Sequence, residues 1–320
     1  MRQFIKRKAR TILGSGPVSA VKIRSLPKDA LVIFSLHRIE HQPDPLSSAI
    51  PAAAFSEFVS WADRSFNLTT FAELQSAKQQ DKAPAILSFD DGYACYKSVV
   101  EPILEKFGVP ANLNIIPASV QTGLPPINVY MQEIIAQGGE ADRAAVNQKM
   151  FGGELTTNDA AEFMLLASRA LKYRPFAEQQ KFWPFLISLG EQIHDFSPVE
   201  MLNLEDLRLL KRTELGAHSF EHASMESQSD TYLSSDFEKC QNWFNDTLGQ
   251  QTSVYAFPNG SASISAAQRA LDSGFSHALL VGEQFSQKTA GIHHRINMHG
   301  STVQDLRSCV TLAKQTEIVA

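Results

Sequence analysis

Two short segments of the sequence hold side chains that could bind one metal ion together. The segment Ser88–Gly92 (SFDDG) ends an apolar run with two adjacent carboxylates, Asp90 and Asp91. His218 and His222 follow another apolar run and lie four residues apart. Histidines at this spacing lie on one face of a helical turn, so both imidazoles can contact one ion. Two histidines and a carboxylate leave metal positions open for water and substrate.

A third polar segment, Pro258–Gly260, follows the apolar run Val254–Phe257. The active sites of α/β proteins lie at the carboxyl ends of parallel strands, where these three segments would meet. Each segment alone also fits a simpler interpretation: a helix-capping loop at the two aspartates, a pair of surface histidines, or an ordinary turn. Ser219, between the two histidines, could hold an imidazole in place through its hydroxyl.

Seven short apolar runs predict the buried strands that would position these segments. The runs are Leu31–Leu36, Ala85–Phe89, Asn112–Ile116, Glu214–Ala217, Val254–Phe257, Ala278–Val281 and Ile292–Asn297. Helical patterns lie between many of them. An alternation of strands and helices is typical of a parallel sheet, either open or closed into a barrel.

One stretch of the chain does not alternate. From about residue 126 to 212 the pattern is helical nearly throughout, and Ala160–Leu171 and Phe182–Ile193 are its strongest segments. We therefore expect an α/β domain over residues 29–320 that contains an all-helical insertion. Its role, as a cap over the substrate, an interface or plain packing, stays open at this stage.

The composition is that of an ordinary globular protein, with 43% hydrophobic residues and 20% charged residues. The net charge of −5 gives no indication of a nucleic-acid partner. The three cysteines (Cys95, Cys240 and Cys309) are scattered, so they fit neither a disulfide framework nor a thiolate metal site.

Residues 1–28 differ from the rest of the chain, because every charged residue before Asp29 is basic. Apolar residues recur at helical spacing over residues 5–13, which predicts a short basic amphipathic helix. Such a helix could pack on the barrel or attach peripherally to the anionic inner face of the cytoplasmic membrane. Its apolar stretch is too interrupted for a secretory signal, and no run approaches the roughly 20 residues of a membrane span. We therefore expect a cytoplasmic protein.

The order of the motifs resembles that of the polysaccharide deacetylase family with the NodB homology domain. Ser88–Gly92 matches the family motif T/S-F-D-D-G at every position, and His218–His222 (HSFEH) matches H-S/T-x-x-H. Leu36–Ile39 (LHRI) is similar to the Y-H-R-I/V that opens many members, and Arg295-Ile296 matches near the end. The resemblance implies a distorted (β/α) barrel of about seven strands.

The resemblance also implies a role for each matching residue. Asp91, His218 and His222 would hold a divalent metal, most often zinc, with Co²⁺, Ni²⁺ or Mn²⁺ as alternatives. Asp90 would be the general base that takes a proton from the attacking water. The implied activity is removal of an acetyl group from an N-acetylated sugar, in a polysaccharide, a glycan or a lipid-linked precursor.

The third motif departs from the family pattern. In many members an arginine precedes the proline of this motif, and that arginine holds the catalytic aspartate in place. Here Tyr255–Phe257 precede Pro258, and none of the three is an arginine. Arg295 is the candidate substitute, in a bracing or a substrate-binding position. The backbone N–H that stabilises the oxyanion would come from Asn259, and this role does not depend on its side chain.

The histidine that protonates the leaving amine has no clear match. His293, His294 and His299 all lie in the expected region, and the sequence favours His294 because it directly precedes Arg295-Ile296. His37 has two interpretations: it could be a histidine whose hydrogen bonds are satisfied at a strand end, or it could be a residue of the site. Two other functions remain open: hydrolysis of another C–N bond, in a cyclic amide or ureide, and an inactive carbohydrate-binding member.

Overall fold

The computed structural model describes residues 10–43, 48–74, 82–260 and 262–315. Within them, seven parallel strands close into a barrel. The strands are β1 (Ala30–Leu36), β2 (Pro84–Asp91), β3 (Ala111–Ile115), β4 (Thr213–Ala217), β5 (Val254–Ala256), β6 (His277–Val281) and β7 (Ile292–Asn297). Their order is β1-β7-β6-β5-β4-β3-β2, and β2 pairs back onto β1, which closes the barrel. The predicted (β/α) barrel of about seven strands is thereby confirmed.

Helices surround the barrel, and several of them form the long stretch of sequence between β3 and β4. They are α1 (Gly16–Arg24), α2 (Ala52–Ser65), α3 (Glu101–Phe107), α4 (Pro117–Thr122), α5 (Ile127–Gln137), α6 (Glu140–Phe151), α7 (Ala160–Lys172), α8 (Phe176–Gln179), α9 (Trp183–Gly190), α10 (Leu204–Leu209), α11 (Asp230–Trp243), α12 (Ile264–Asp272) and α13 (Val303–Leu312). The described structure also contains four two-residue strands: Ile39–Glu40, Ile50–Pro51, Asn67–Leu68 and Ser286–Gln287. Its five short 3₁₀ or π turns are Tyr96–Val100, Gln180–Phe182, Met225–Ser227, Phe244–Leu248 and Pro258–Gly260.

Every residue of β1, β2 and β3 is buried, as expected of parallel strands covered on both faces. Side chains alternate across each strand, so one set fills the barrel and the other packs against the helices. Ile33 and Ile86 belong to the inner set, which forms its own cluster with Phe71 and Leu74. Phe34 belongs to the outer set, and its ring contacts Phe58 of α2 edge to face.

Helices α5 to α10 occupy the stretch for which the sequence predicts a helical insertion. Met131, Val146, Phe163 and Leu186 belong to a hydrophobic cluster separate from the main core. Arg38, just after β1, joins the insertion to the barrel, because its guanidinium donates to Glu40 at 2.9 Å and to Glu133 of α5 at 3.0 Å. The insertion is therefore tied to the same end of the barrel as the loop that follows β1.

Most of the predicted basic amphipathic helix lies outside the described residues, which begin at Arg10. The structure therefore leaves membrane attachment a prediction. Among the described helices, none combines the length and the apolar character that crossing a bilayer requires.

Two histidines are buried where β6 and β7 begin, at the end of the barrel opposite the three motifs. His293 Nε2 lies 3.0 Å from His277 Nδ1, and Ser286 Oγ lies 2.9 Å from His293 Nδ1. The ring of Phe71 contacts both imidazoles in a tilted arrangement. Burial, followed by the two neighbouring histidines, lowers the pKa of His293 to about 3. Both imidazoles are therefore held neutral in the fold.

This pair predicts that the free energy of unfolding falls as the pH decreases from about 6.5 towards 3. Histidine in the unfolded chain takes up a proton near pH 6.5, whereas His293 in the fold does so only near pH 3. The unfolded state binds more protons in this window, at a slope of at most about 1.4 kcal/mol per pH unit for each such histidine. Urea unfolding at several pH values should show a smaller slope for His293→Gln. The exposed His194 provides the control, and an equal slope in His293→Gln and the wild type would contradict the assignment.

Candidate active site

The three motif segments meet at the carboxyl end of the barrel. Asp90 and Asp91 end β2, and His218 directly follows β4. Pro258–Gly260 form a tight turn just after β5. Because all the barrel strands are parallel, their carboxyl ends share one rim, and the loops that follow them face the same space. Segments more than a hundred residues apart in sequence are thereby brought together.

Asp91, His218 and His222 form a compact cluster of possible metal ligands. One ligand atom from each side chain lies within 4.8 Å of the others. Asp91 Oδ1 is 3.4 Å from Nε2 of both imidazoles. The carboxylate is buried, and Oδ1 has no hydrogen-bond partner among the described residues. A buried carboxylate oxygen without a donor is costly unless a cation neutralises it.

The orientation of His218 also fits a metal. Its Nδ1 lies 2.8 Å from the carbonyl oxygen of Ala256, so Nδ1 carries the proton and donates it. The unprotonated Nε2 then faces Asp91, as a metal-ligating imidazole requires. Burial alone would lower the pKa of His218, but the charges of Asp90 and Asp91 outweigh it and raise that pKa. The same negative field would favour a divalent cation, so these three residues fit the predicted metal.

Asp90 lies beside this cluster in a different environment. Its Oδ1 accepts hydrogen bonds from the guanidinium of Arg295 at 2.8 Å and from Asn114 Nδ2 at 2.8 Å. Burial would raise the pKa of Asp90, but the charge and hydrogen bond of Arg295, together with the charges of His218 and His37, outweigh burial and lower the pKa to about 2. Oδ2 takes part in neither bond and lies 3.9 Å from His218 Nε2. Asp90 is therefore an ionised carboxylate with one oxygen directed towards the candidate metal ligands.

Arg295 lies where it holds the carboxylate of Asp90, not where it would contact a substrate. Its side chain is fully buried inside the barrel, so it cannot reach an open substrate cavity in this structure. Of the two positions considered from the sequence, only the contact with Asp90 is present. The buried guanidinium of Arg295 therefore forms an ion pair with Asp90, and substrate binding by Arg295 stays a prediction.

Asn114 is a site residue that the sequence reasoning missed. A signal was present, because Asn112 and Asn114 are polar at alternate positions of an otherwise apolar strand, which places both on one face. The side chain of Asn114 fits only because β4 has a glycine opposite it. A Cβ atom on Gly216 would lie 2.2 Å from Asn114 Oδ1. The Gly216 position thus allows Asn114 to reach Asp90.

Ser219 supports the histidine loop through a neighbouring acid. Its hydroxyl donates to Asp236 Oδ1 at 2.8 Å, and the backbone N–H of Phe220 donates to the same oxygen at 3.0 Å. Tyr255 donates to Asp236 Oδ2 at 2.6 Å. The predicted direct contact between Ser219 and an imidazole is thus replaced by a contact with Asp236. The sequence signal for Asp236 was an acid on the apolar face of α11, beside Phe237.

The site loops contain residues with an unusual backbone conformation. Asp91, Ser219, His222 and Asn259 have φ values of 76°, 60°, 61° and 59°, and they are four of the six non-glycine residues with positive φ in the described chain. This region of φ is sparsely populated by residues with a Cβ atom. It persists where surrounding contacts determine the backbone, which is common at functional sites. The conformation directs Asp91 and His222 towards each other.

The structure does not bring His294, which the sequence favours as the general acid, to the cluster. Arg295 points into the barrel, so its neighbour His294 points outwards by strand alternation. There it packs on Gly282, where a Cβ atom would lie 2.5 Å from His294 Nδ1. His293 lies at the opposite end of the barrel, and exposed His299 pairs with Arg10 at 3.2 Å.

His37 is instead the histidine that lies beside Asp90. It follows β1 directly, and its Nε2 is 3.9 Å from Asp90 Oδ2. Its side chain is 43% exposed, so the imidazole faces the open side of the barrel. The structure therefore favours the site interpretation of His37 over a histidine fully satisfied at a strand end. Asn259 lies on the same side, where its Nδ2 donates to Ser224 Oγ at 2.7 Å, and Pro258 before it is buried.

Comparisons with known proteins agree with this architecture. The sequence model of the polysaccharide deacetylase family matches residues 204–278. The fold is similar to that of the Streptococcus pyogenes deacetylase PplD in complex with acetate, at a TM-score of 0.57 and 14% identity, covering 89% of this chain and 98% of that chain. It is also similar to IcaB from Ammonifex degensii, at a TM-score of 0.55 and 14% identity, covering 88% and 97% of the two chains.

The deacetylase domain of BpsB from Bordetella bronchiseptica has a similar fold as well, at a TM-score of 0.52 and 14% identity, covering 86% of this chain and 98% of that chain. The comparison with curated protein sequences found no match. At these identities the similar structures establish a shared fold. Together with the match of the family model over residues 204–278, this shared fold supports the predicted resemblance to the polysaccharide deacetylases.

Proposed function

We propose that this protein is a metal-dependent hydrolase that removes the acetyl group from an N-acetylated sugar of a polysaccharide or glycan precursor. The observation that carries the proposal is the ionised Asp90 carboxylate beside the Asp91, His218 and His222 cluster. A module that only binds carbohydrate needs neither a ligand set for a cation nor a second carboxylate braced by a buried arginine. Zinc suits a site with two imidazoles and one carboxylate, and Co²⁺, Ni²⁺ or Mn²⁺ are alternatives.

Residues of this chain would carry out the proton transfers of the proposed hydrolysis and stabilise its oxyanion. When bound, a divalent ion would supply Lewis-acid chemistry, because it lowers the pKa of water and polarises a carbonyl group. Asp90 accepts the proton of the attacking water at Oδ2, since Oδ1 is engaged by Arg295 and Asn114. The turn at Asn259 would stabilise the negative charge that develops on the acetamide oxygen through its backbone N–H.

His37 is the proton donor to the leaving amine in this proposal. It is the partly exposed titratable group within 3.9 Å of Asp90, so it can contact both the site and a bound sugar. The amine of a sugar is a poor leaving group unless it is protonated as the C–N bond breaks. General-acid catalysis is worth roughly 10²–10⁴-fold, so the contribution of His37 should lie in that range.

Replacing His37 with glutamine is expected to lower kcat on an acetamide by about 10²-fold, the lower end of that range. The loss should be much smaller on 4-nitrophenyl acetate, whose phenolate departs without a proton. Acetate release from the two substrates by wild type and variant would measure this difference. An equal loss on both would show that His37 does not protonate the leaving group, and exposed His194→Gln is the control.

The experiment that tests the function is acetate release from N-acetylhexosamine oligomers, measured together with the metal content of the purified protein. The expected result is acetate production that depends on a bound divalent ion. Activity on cyclic amides or ureides without acetate release would favour the alternative C–N hydrolase. Saccharide binding with neither activity would favour an inactive carbohydrate-binding protein.

A further inference from the structure

A cavity of about 400 Å³ adjoins the candidate active site. It lies between α7 of the helical insertion and the loops that follow β4 and β5, which contribute Ser224 and Asn259 to its wall. Asn259 also belongs to the turn beside the candidate metal ligands. A substrate with its acetamide group at the site would therefore extend along Asn259 into this cavity.

The cavity has a positive wall. Arg169 and Lys172 of α7 both line it, and none of its lining residues is acidic. Among the residues that the structure describes, neither cation has an ion-pair partner, whereas the nearby Arg269 pairs with Asp230. In a chain of net charge −5, two unpaired cations in one cavity would attract an anionic group.

Lys172 is the cation nearer to the candidate metal ligands. Burial lowers the pKa of its ammonium group, and the charge of Asp91 partly opposes that effect. Lys172 also contributes to the field around His222. A group bound to this ammonium would therefore lie on the side of the cavity that faces the cluster of Asp91, His218 and His222.

The rest of the wall suits a sugar. Leu165 and Tyr173 line the cavity with large apolar side chains that are 68% and 63% exposed. An exposed aromatic ring offers an apolar face with a polar edge, which matches the two faces of a sugar ring. Gln132 and Ser168 add hydrogen-bonding groups, and Gln132 Nε2 donates to Ser168 Oγ at 3.0 Å.

We propose that the sugar substrate carries an anionic substituent, a phosphate or a carboxylate, which Arg169 and Lys172 bind in this cavity. The inference rests on the proposed deacetylase function and specifies its substrate class. The planar guanidinium of an arginine binds either anion through two parallel hydrogen bonds, and a lysine adds a point charge. The helical insertion thereby contributes the specificity of the site, while the barrel contributes its chemistry.

The binding test uses three probes that share the acetamide and differ in charge: N-acetylglucosamine, N-acetylglucosamine 1-phosphate and N-acetylglucosaminuronic acid. Calorimetry on the zinc-loaded protein should show at least one anionic probe binding about tenfold or more tightly than the neutral one, because a charge-assisted hydrogen bond adds at least that factor. The anionic probe that binds more tightly identifies the substituent. Its advantage should also decrease with salt. Equal affinity of all three probes would overturn the proposal.

The variants Arg169→Gln and Lys172→Gln should each reduce the preference for the anionic probe by about tenfold. Lys149→Gln is the matched control, because Lys149 is an exposed lysine on α6 that does not line the cavity. A preference that survives in the double variant would overturn the proposal, and circular dichroism would establish that the variant is folded.

Acetate release separates this inference from the proposed function. An anionic probe that binds through Arg169 and Lys172 but releases no acetate would support the anion site and contradict the deacetylase. Acetate released equally well from neutral and anionic sugars, with no effect of either variant, would support the deacetylase and overturn the anion site.

Discussion

Replacing Asp90 with asparagine is expected to reduce acetate release by roughly 10²–10⁴-fold while the metal content stays unchanged. Asparagine has the same shape, and its oxygen can still accept the bonds that Arg295 and Asn114 make to Oδ1. Its Nδ2 replaces Oδ2, however, and cannot accept a proton from water. The loss should therefore appear in kcat, at saturating metal and substrate.

The same substitution removes the counter-charge of Arg295, which is fully buried. A buried charge that loses its partner is destabilising, so a lower Tm is expected as well. Activity is therefore to be measured well below the Tm of the variant. Asp246→Asn makes the same replacement of one oxygen by an NH₂ group at an exposed carboxylate and is the matched control. Near-normal turnover by Asp90→Asn at saturating metal would show that Asp90 is not the base.

Removing either histidine of the cluster is expected to abolish tight metal binding and activity together. Asp91 Oδ1 lies 3.4 Å from each imidazole, so His218→Ala and His222→Ala each remove one of three converging ligand atoms. Metal analysis should find about one ion per chain in the wild type and little in the variants. The Asp90→Asn protein provides the contrast, because it should keep the ion and lose turnover.

Chelation provides the same test without a mutation. Treatment with a chelator should remove activity, and adding zinc or cobalt should restore it in the wild type but not in His218→Ala. His194→Ala, which removes an exposed histidine, should behave like the wild type. Full activity in chelated protein would contradict the role assigned to the cluster.

The contact between Asp90 and Arg295 shows where sequence patterns stop being informative. The two residues are 205 positions apart and come together only because β1 lies between β2 and β7 in the closed barrel. The sequence identified both residues, yet nothing in it measures the distance between them. Lys172 is not singled out by the sequence at all, and only the packing of the insertion places it near Asp91.

The general acid illustrates a second limit. The segment Ile292–Asn297 was predicted as a strand, and it is one. The sequence does not show which residues of this strand face the inside of the barrel. A barrel strand is covered on both faces, so it lacks the polar and apolar alternation of a half-exposed strand. A shift of one residue exchanges the inside and the outside of the barrel, so His294 was favoured although it faces outwards. His37, which directly follows β1, fits both a site residue and a histidine satisfied at a strand end, and the sequence does not choose between them.

The sequence alone indicated the seven strands and the mainly helical pattern of residues 126–212, and its motifs, through their resemblance to a known family, indicated the candidate ligands Asp91, His218 and His222. Apolar runs of strand length and the spacing of polar residues at their ends are local properties, which the order of residues records directly. Tertiary structure alone decided that Arg295 and Asn114 hold Asp90, that His37 lies beside it, and that α7 contributes a positive wall to the adjoining cavity. Those contacts depend on barrel closure and on helix packing, which are set by the burial of the whole core rather than by any short segment.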